Sequence, residues 1–596
     1  MSRWYNETLG TPAEGTSPPQ LYHHYTGHDN NRDWYAFTQV ETQLTVDSLH
    51  NVWHPQIVHD IHQQGEFASR LFLPPYLDPV EPNVDPLITQ GVNALGTYMA
   101  WELAAQGKRG IVVNAVYDAW APARAYQHHH AGVRILSETA GANLASPLEL
   151  KAEQISETGR GYEPRTPSWN YPDPWRGGRW GMSEMVDYES SAALALLKNA
   201  VDHADTWLSN FVRIGERAVR GWPGWPYAVV IPKDGQNPAG LSTMLGILDR
   251  GGIEIRSALS PFQDAGTTYP QGTYLVVLRQ PYASFAKALL ETQKYPDLRL
   301  YPGGPPKPPY DVTAHTVPLL MGVRVAAITD SIPLPLSTPV HPPKPEYQVA
   351  GLGAEARIGL YQGYAASMDE GWTRWVFDTW GIRYAVVTDS VVRAGDLRSR
   401  FNSIVLPSAS DGAIRNGLSP KLYPPRFAGG LGAAGIDALR RFTEAGGTVV
   451  ALNEASDFAI RAFGLPVRDV TEGRPAADFY APGSIFRLEL DTTNALTAAM
   501  PSKTIAWFEN GPVFEVTDRT SVRTLGWYPT DPARVLASGW VLHPERVAGK
   551  GALLEAAVGQ GRVVLFGFRP QYRGQSIATY PLLFNALRPA EGISGR

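Results

Sequence analysis

Residues 56–62, Gln-Ile-Val-His-Asp-Ile-His, and residues 135–139, Ile-Leu-Ser-Glu-Thr, are two short apolar runs that carry titratable side chains. Short runs of this kind are typical of buried strands. A strand over 56–62 ends at His62, and strand ends are where α/β sheets place functional residues. A carboxylate such as Glu138 is costly to bury without a partner, so its place in an apolar strand indicates a chemical role. The alternative is that Glu138 lies on the solvent side of an edge strand.

The sequence Asn-Asn-Arg at residues 30–32 provides an anion-binding group upstream of both runs. A guanidinium binds a carboxylate through two parallel charge-assisted hydrogen bonds. Arg32 is therefore a candidate for holding the negatively charged end of a substrate, and Asn31 for adding neutral hydrogen bonds beside it. The alternative is that Arg32 forms a salt bridge in a surface loop.

In this order, Asn31, Arg32, His62 and Glu138 resemble the functional residues of the zinc metallocarboxypeptidases of the carboxypeptidase A type. The resemblance covers residues 1–220 and implies the corresponding mixed α/β sheet, in incomplete form. It implies that Asn31 and Arg32 bind the C-terminal carboxylate of a peptide and that His62 is a zinc ligand. Glu138 would be the general base that activates the zinc-bound water and the catalytic residue of the site.

An aromatic loop at residues 117–126 precedes Glu138 and could cover the site. By the same resemblance, Tyr117 matches a mobile substrate-binding Tyr of the family, and Tyr126 is the second choice. The three consecutive His residues at 128–130 look like metal ligands, but adjacent side chains of a strand point to opposite faces. We therefore expect a solvated loop or a contact between domains at 128–130.

The zinc site that the resemblance implies is incomplete in this chain. A catalytic zinc normally takes three protein ligands, and the His-x-x-Glu element of the family should precede the Asn-Arg pair. None of the 14 His residues has Glu three positions later. We therefore expect an N-terminally truncated or degenerate relative that is inactive alone, whereas intact relatives would hydrolyse peptide bonds at substrate C-termini. Zinc is the implied cofactor, and peptide or protein C-termini are the implied partners.

Three alternatives remain open. The cluster His50, His54, His59 and His62 could form a zinc site of its own, although Pro55 disfavours a helix at the preceding residue. The chain could instead be a non-enzymatic protein that binds peptides or carboxylates. In the third alternative, the C-terminal region carries the main function on an unidentified ligand.

The rest of the chain predicts further α/β domains. Gly-Trp-Pro-Gly-Trp-Pro at residues 221–226 is a cluster of helix and strand breakers and marks the first boundary. An intermediate α/β domain with Pro-rich linkers is predicted at 221–350. Strands alternate with helices over 351–596, which resembles the doubly wound class I glutamine amidotransferase fold. That amidotransferase reaction needs a Cys nucleophile, and the chain has no Cys, so a structural or binding role is expected there.

Apolar spacing predicts individual elements within these regions. The expected helices lie at 85–105, 188–220, 241–250, 282–292 and 436–445, and the expected strands at 111–113, 134–136, 227–231, 253–255, 273–278, 357–361, 384–388, 403–407, 448–452 and 562–568. Residues 430–435 match Gly-x-Gly-x-x-Gly, but no strand directly precedes them. We therefore interpret these residues as a helix-entry loop rather than a dinucleotide site.

Composition limits the classes of partner. The formal charge of −5 and pI near 6.3 give no basic excess, so nucleic acid is not an expected partner. No stretch approaches the ~20 apolar residues of a transmembrane helix. The opening residues, MSRWYNETLG, lack the pattern of a signal peptide, whereas the resemblance implies a periplasmic or secreted location for intact relatives. Nothing in the sequence indicates the oligomeric state.

Overall fold

The computed structural model describes residues 2–120, 124–156, 160–349, 351–352 and 356–589, so residues 121–123 of the aromatic loop lie outside it. Over the described residues the chain has a mixed α/β architecture with several sheets. None of the described helices is both long enough and apolar enough to cross a membrane. The predicted boundaries near residues 220 and 350 stay predictions.

The first stretch builds a four-stranded sheet in the order β1-β6-β2-β4. β1 and β6 are parallel, and their register pairs His62 with Glu138. A carboxypeptidase-like sheet, expected from the resemblance, is not shown. The strands are β1 Ile57–Gln64, β2 Leu71–Leu73, β3 Leu77–Val80, β4 Ile111–Val113, β5 Asp118–Ala119, β6 Val133–Ala140, β7 Leu148–Lys151 and β8 Gly177–Trp180, and the helices are α1 Ser2–Thr8, α2 Val40–Thr45, α3 Asn51–Trp53, α4 Pro86–Ala105, α5 Met182–Asp202 and α6 Ala204–Arg220.

The helix predicted over 85–105 is confirmed as α4, whose N-cap Asp85 accepts a hydrogen bond from the Leu87 amide. The helix predicted over 188–220 is instead two helices, because His203 leaves the helical region with φ −124° and ψ 26°. The packed face of α5 includes small residues. Small residues of α5 such as Ala192 contact α4, whereas Val201 is 76% exposed. Apolar spacing alone did not reveal that a small-residue face packs more closely.

The middle stretch forms an antiparallel sheet in the order β10-β13-β9-β14. The predicted strand at 253–255 is wrong, because pairing begins only at Arg256 while Ile253 and Ile255 are buried in the preceding loop. The strands are β9 Ala228–Ile231, β10 Arg256–Ser257, β11 Phe262–Asp264, β12 Thr267–Tyr269, β13 Tyr274–Val277 and β14 Ala326–Ile328, and the helices are α7 Pro238–Arg250, α8 Ala283–Leu290 and α9 Val317–Met321.

The C-terminal stretch forms a 12-stranded sheet among the described residues, with the parallel order β16-β15-β17-β18-β26 in one half and antiparallel strands in the other. The strands are β15 Ile358–Tyr361, β16 Tyr384–Val387, β17 Ser403–Leu406, β18 Thr448–Leu452, β19 Val467–Asp469, β20 Pro482–Leu490, β21 Lys503–Glu509, β22 Phe514–Val516, β23 Val522–Trp527, β24 Leu536–Ser538, β25 Gly551–Val558 and β26 Gly561–Phe566. The helices are α10 Met368–Thr379, α11 Asp389–Ala394, α12 Leu397–Arg400, α13 Asp411–Asn416, α14 Gly432–Glu444, α15 Ala455–Phe463 and α16 Tyr580–Ala586. Of the predicted helix-entry loop at 430–435, residues 430 and 431 precede α14 and residues 432–435 form its first turn.

Helices cover both faces of the parallel half. On β18, Val450 packs in one hydrophobic cluster and Val449 in another, so successive side chains face opposite layers. α10 and α16 contribute to the first cluster, and α14 and α15 to the second. Parallel strands buried on both faces read as continuous apolar runs, which is why Thr-Val-Val-Ala-Leu at β18 is recognisable in the sequence.

One hydrophobic cluster joins the three stretches. It contains Tyr35 from the first stretch, Phe285 from the middle stretch and Val450 from the C-terminal stretch. The hydroxyl of Tyr35 also donates a hydrogen bond of 2.7 Å to Gln575 Oε1. The stretches therefore share a core over the described residues.

We predict that Leu452→Ala lowers the free energy of unfolding by about 2–5 kcal/mol, because it leaves a cavity in the packed core. Leu452 is fully buried at the end of β18. Leu422→Ala is the control, because Leu422 is 48% exposed and its loss should cost no more than about 0.5 kcal/mol. Urea denaturation of both variants measures the difference, and equal effects would contradict the buried placement of β18.

Candidate functional site

The first polar group lies at the ends of β1 and β6, where the register pairs His62 with Glu138. His62 is held within its own strand, because its Nε2 lies 2.8 Å from Asp60 Oδ1. Arg134 Nε donates to Asp60 Oδ2 at 2.9 Å. Burial alone would raise the pKa of Asp60, but the Arg134 guanidinium and the His62 ring outweigh burial and hold this pKa well below its usual range.

Glu138 is only 7% exposed, which excludes the placement on a solvent-facing edge. Burial raises the pKa of Glu138, and the positive charges of His62, Arg134 and Arg32 offset part of this effect. Among the described residues, no hydrogen bond or ion pair engages its carboxylate. Over the described part of the chain, Glu138 is thus a buried acid that is influenced by nearby positive charges but is neither hydrogen-bonded nor ion-paired.

Arg32 belongs to a second charged group, in which two guanidiniums share one carboxylate. Arg32 Nε donates to Asp311 Oδ2 at 2.5 Å, and Arg124 Nε lies 3.4 Å from the same oxygen. Although burial opposes ionisation, Arg32, Arg124 and Arg573 keep the pKa of Asp311 well below its usual range. Arg32 Nη1 is buried and has no hydrogen-bond partner among the described residues. Arg32 therefore forms a buried salt bridge rather than one in a surface loop.

Tyr310 lies near both groups. Burial raises the pKa of its hydroxyl, and the charges of Arg124 and Arg32 in one group and of Glu138 in the other also act on this pKa. Its ring centroid lies 4.7 Å from that of Tyr117, and the Arg124 guanidinium lies 4.9 Å from its centre. We call Arg32, Arg124, Glu138, Tyr310 and Asp311 the junction cluster.

The structure brings the predicted residues Arg32, His62, Tyr117 and Glu138 to this cluster. Asn31 precedes Arg32 in a short 3₁₀ helix, Gly27–Arg32, and is partly buried. Tyr126 lies elsewhere, stacked on His130 with ring centroids 3.6 Å apart.

Sequence reasoning missed Arg124, Tyr310 and Asp311. Tyr310 and Asp311 directly follow residues 301–309, whose Pro-rich composition indicates a linker, and Arg124 lies in the aromatic loop. No spacing signal connects such distant positions. One local feature could have indicated a functional residue there, namely the charged Asp311 immediately after a Pro-rich stretch.

The His residues that the structure describes do not form a zinc site. Among the described residues, no group of three or more His, Cys, Asp and Glu side chains could hold a metal ion. In the alternative His cluster, His50 Nδ1 pairs with Gln127 Oε1 at 2.9 Å and His59 Nε2 with Ser137 Oγ at 2.9 Å. The run at 128–130 is buried and forms a contact between stretches, because His129 Nδ1 lies 2.8 Å from Ser284 Oγ.

A separate site lies at the carboxyl ends of β17 and β18. Asn453 follows β18 with φ +50°, a strained value for a residue with a side chain. Its Nδ2 donates to Ser408 Oγ at 3.1 Å. Its Oδ1 is fully buried without a hydrogen-bond partner among the described residues. A Cβ built on Gly511 would lie 2.3 Å from this oxygen, so only glycine fits there.

Beside Asn453 is a cavity of about 690 Å³, which we call the edge cavity. Five carboxylates and two guanidiniums contribute to its walls. Two of the carboxylates, those of Glu454 and Asp457, make no hydrogen bond or ion pair with described residues. The lining residues are Ser410, Asp411, Gly412, Glu454, Asp457, Arg461, Asp469, Thr471, Glu472, Gly473, Arg474, Ala476, Phe479, Tyr480, Asn510, Gly511 and Pro512.

The other acidic groups of the edge cavity are already engaged. Asp411 pairs with Arg415 at 3.0 Å, and Glu472 pairs with Arg461. Asp469 Oδ1 accepts the backbone amides of Thr471 and Val513 at 2.8 and 2.9 Å. Glu454 and Asp457 are therefore the acids available to a ligand.

Asp457 has a perturbed ionisation. Burial raises its pKa to about 7, and the neighbouring charges of Asp469, Glu472 and Glu454 act in the same direction, while Arg461 opposes them. A carboxyl group with such a pKa inside a cavity is typical of a functional site.

The neighbouring crevice between β15 and β17 is closed. In a parallel sheet with this strand order, ligands usually bind where the order reverses, which here is between β15 and β17. Residues 19–21 of the N-terminal segment lie over that point and leave only about 30 Å³ of space. The open site on this edge is consequently the one beside β18.

Comparisons with known proteins give no family. No protein-family model matches the sequence, and no curated protein matches it. Among solved structures, a ThuA-like protein from Bacteroides uniformis is similar at 12% identity and a TM-score of 0.25, covering 41% of this chain and 97% of that chain. A Thermoplasma acidophilum protein described as a GMP synthase subunit has 9% identity and a TM-score of 0.24, covering 38% and 94%. A Bacillus circulans β-galactosidase has 12% identity and a TM-score of 0.24, covering 39% and 31%. Likenesses at this level do not establish a function.

The interpretation as a zinc metallocarboxypeptidase homologue is wrong. The similar structures are ThuA-like, GMP synthase-like and glycosidase chains, without a carboxypeptidase among them. The described part of the chain also lacks a group that could hold a metal ion, whereas a catalytic zinc needs three protein ligands. The individual roles suggested for Asn31, Arg32, Tyr117 and Glu138, and for His62 as a ligand of zinc, stay predictions, as does the location of the protein.

We predict that Asp311→Asn lowers the free energy of unfolding by about 3–5 kcal/mol, because it leaves the buried guanidinium of Arg32 without a counter-charge and removes one of the two carboxylates that pair with Arg124. Asp297→Asn is the matched control. Asp297 is half-exposed and pairs with Arg299 at 2.7 Å, so its loss should cost at most about 1 kcal/mol. Urea denaturation measures the free energy of unfolding of both variants. Equal losses would contradict a larger contribution from the buried Asp311 than from the exposed Asp297.

We predict that Glu138→Gln stabilises the protein at neutral pH. A raised pKa means that the folded protein holds the Glu138 proton more tightly than the unfolded chain, so ionisation with rising pH destabilises the fold. The variant should have a higher urea midpoint than the wild type at about pH 7.5, and this difference should vanish at about pH 4. Glu163→Gln, at a half-exposed position, should show no such pH dependence. A midpoint difference independent of pH would contradict the assignment.

Proposed function

We propose that the C-terminal stretch is a small-molecule-binding domain whose site is the edge cavity. The observation that carries this proposal is a cavity of about 690 Å³ at the carboxyl ends of β17 and β18, walled by the unpaired carboxylates of Glu454 and Asp457. Ligand pockets of proteins typically enclose about 300–1,000 Å³ and contain few polar groups that converge on the ligand. The edge cavity has such a volume, whereas its walls are mainly polar, and Glu454 and Asp457 are the groups that can converge on a ligand.

The position of the cavity supports the proposal. The carboxyl ends of parallel strands are the edge at which open α/β sheets bind ligands. The adjacent crevice, where the strand order reverses, is occupied by residues 19–21, so the edge cavity is the open part of this edge.

We further infer that this stretch has an amidotransferase-like doubly wound fold without the amidotransferase reaction. The parallel order β16-β15-β17-β18-β26 with helices on both faces supports this inference. A sharp strand-to-helix turn is where such α/β enzymes place a nucleophile. Asn453 occupies the turn after β18, and its amide is not a nucleophile, which favours binding over covalent catalysis.

The test is a binding experiment with fragments of three classes: organic cations, neutral polyols and organic anions. Ligand-observed NMR on the full chain measures which fragments bind. We expect at least one class to bind, and we expect Ala476→Trp to weaken that binding by about tenfold or more, because the indole fills an exposed wall of the cavity.

Ala434→Trp on α14 is the matched control, because Ala434 is equally exposed but is not part of the cavity wall. Binding should survive in this variant. If no class of fragment binds, or if binding is indifferent to Ala476→Trp, the edge cavity is not a ligand site.

A further inference from the structure

The charges that line the edge cavity are unbalanced, and this imbalance indicates which class of ligand the cavity would bind. Five carboxylates and two guanidiniums line it. One of the guanidiniums, that of Arg461, is engaged by Glu472, and Arg474 pairs with Asp478 outside the lining. The unengaged charges facing the space are therefore the negative charges of Glu454 and Asp457.

Two aromatic residues line the cavity together with these carboxylates. Phe479 and Tyr480 line the cavity, and Tyr480 is half-buried with its ring 6.1 Å from that of Trp540. Aromatic faces attract cations within about 6 Å of the ring centre. Carboxylates combined with aromatic rings are therefore suited to an organic cation and repel an anion.

A third observation is independent of the acidic residues. Asn453 Oδ1 is fully buried, lacks a hydrogen-bond partner among the described residues and is directed at Gly511, which lines the cavity. A buried acceptor without a donor costs about 1–3 kcal/mol. This oxygen lies behind the cavity wall at Gly511, and its negative partial charge favours a cation in the cavity.

We propose that the edge cavity binds a small organic cation in which a protonated amine is attached to an apolar or aromatic group. The ammonium group pairs with Asp457 and Glu454, and the apolar part packs on Phe479 and Tyr480. A metal ion is a poorer occupant, because the described residues include no group of acids that could coordinate one. This inference rests on the proposed binding function and specifies its ligand class.

The charge of Asp457 also makes binding dependent on pH. The groups that face this carboxyl are Asp469, Glu472, Glu454 and Arg461, and Arg415 lies on the neighbouring helix α13, paired with Asp411. The pKa of Asp457 is about 7. As pH falls below this value, Asp457 becomes protonated and loses its attraction for an ammonium group, so affinity for a permanently charged cation should fall by up to about tenfold per pH unit.

Isothermal titration of the full chain with benzylamine and its neutral analogue benzyl alcohol tests the ligand class. At about pH 8 we expect benzylamine to bind at least about tenfold more tightly, because only the ammonium group forms charge-assisted hydrogen bonds. Asp457→Asn should weaken benzylamine binding by about tenfold to a hundredfold and remove most of the pH dependence. Glu454→Gln, at an exposed position, provides a second variant if Asp457→Asn folds poorly.

Asp437→Asn is the control, because Asp437 is exposed on α14 and lies outside the cavity wall. It should leave the affinity unchanged. Equal affinity for benzyl alcohol and benzylamine, or unchanged affinity in both Asp457→Asn and Glu454→Gln, overturns the cation assignment. If benzylamine does not bind while polyols or anions bind at the same wall, the proposed ligand class is wrong and the proposed binding function stands. If no fragment binds, the ligand class and the binding function are both wrong.

Discussion

The burial of the central parallel strands on both faces is the constraint on which the rest of the structure depends. β18 and β26 consist almost entirely of apolar residues, so both surfaces of this part of the sheet must be covered. α14 and α15 cover one surface. The other surface is covered by α10 and α16, and the same cluster continues into the middle stretch and to Tyr35 near the N-terminus. Three stretches of chain therefore become one packed body through a single core.

Charged groups buried by this packing must be paired within the protein. Asp311 serves both Arg32 and Arg124, Asp29 serves Arg573, and the pairs connect residues that are hundreds of positions apart. An unpaired charge at such a depth costs several kcal/mol, so these pairs hold the stretches in one arrangement. Other buried ionisable groups have only neutral partners, such as Asp33, which accepts hydrogen bonds from Thr38 and Gln39, and the carboxyl of Glu138 has no hydrogen bond or ion pair among the described residues.

The carboxyl edge of the C-terminal sheet combines a closed crevice with an open cavity. The chain's own residues 19–21 occupy the crevice between β15 and β17, and the open space lies beside Asn453. The walls of that space combine several kinds of segment: Asp457 lies on α15, Asp469 on β19, and Glu472 and Tyr480 in the segment between β19 and β20. The sheet fixes where a ligand can approach, and the segments that follow β18 fix the charge of the walls.

The sequence by itself determined the strands at β1, β6, β15, β17, β18 and β26 and the helix α4, because their apolar patterns and caps are local properties. Arg32, His62 and Glu138 were selected through the resemblance to a peptidase, which was wrong, and their roles stay predictions. Tertiary structure alone decided that α5 buries its small residues, that Arg124 and Asp311 join Arg32, and that Glu454 and Asp457 face an open cavity. Such contacts depend on which segments, far apart in the sequence, come together in the fold. The periodicity of apolar residues is a local pattern and does not show which segments these are.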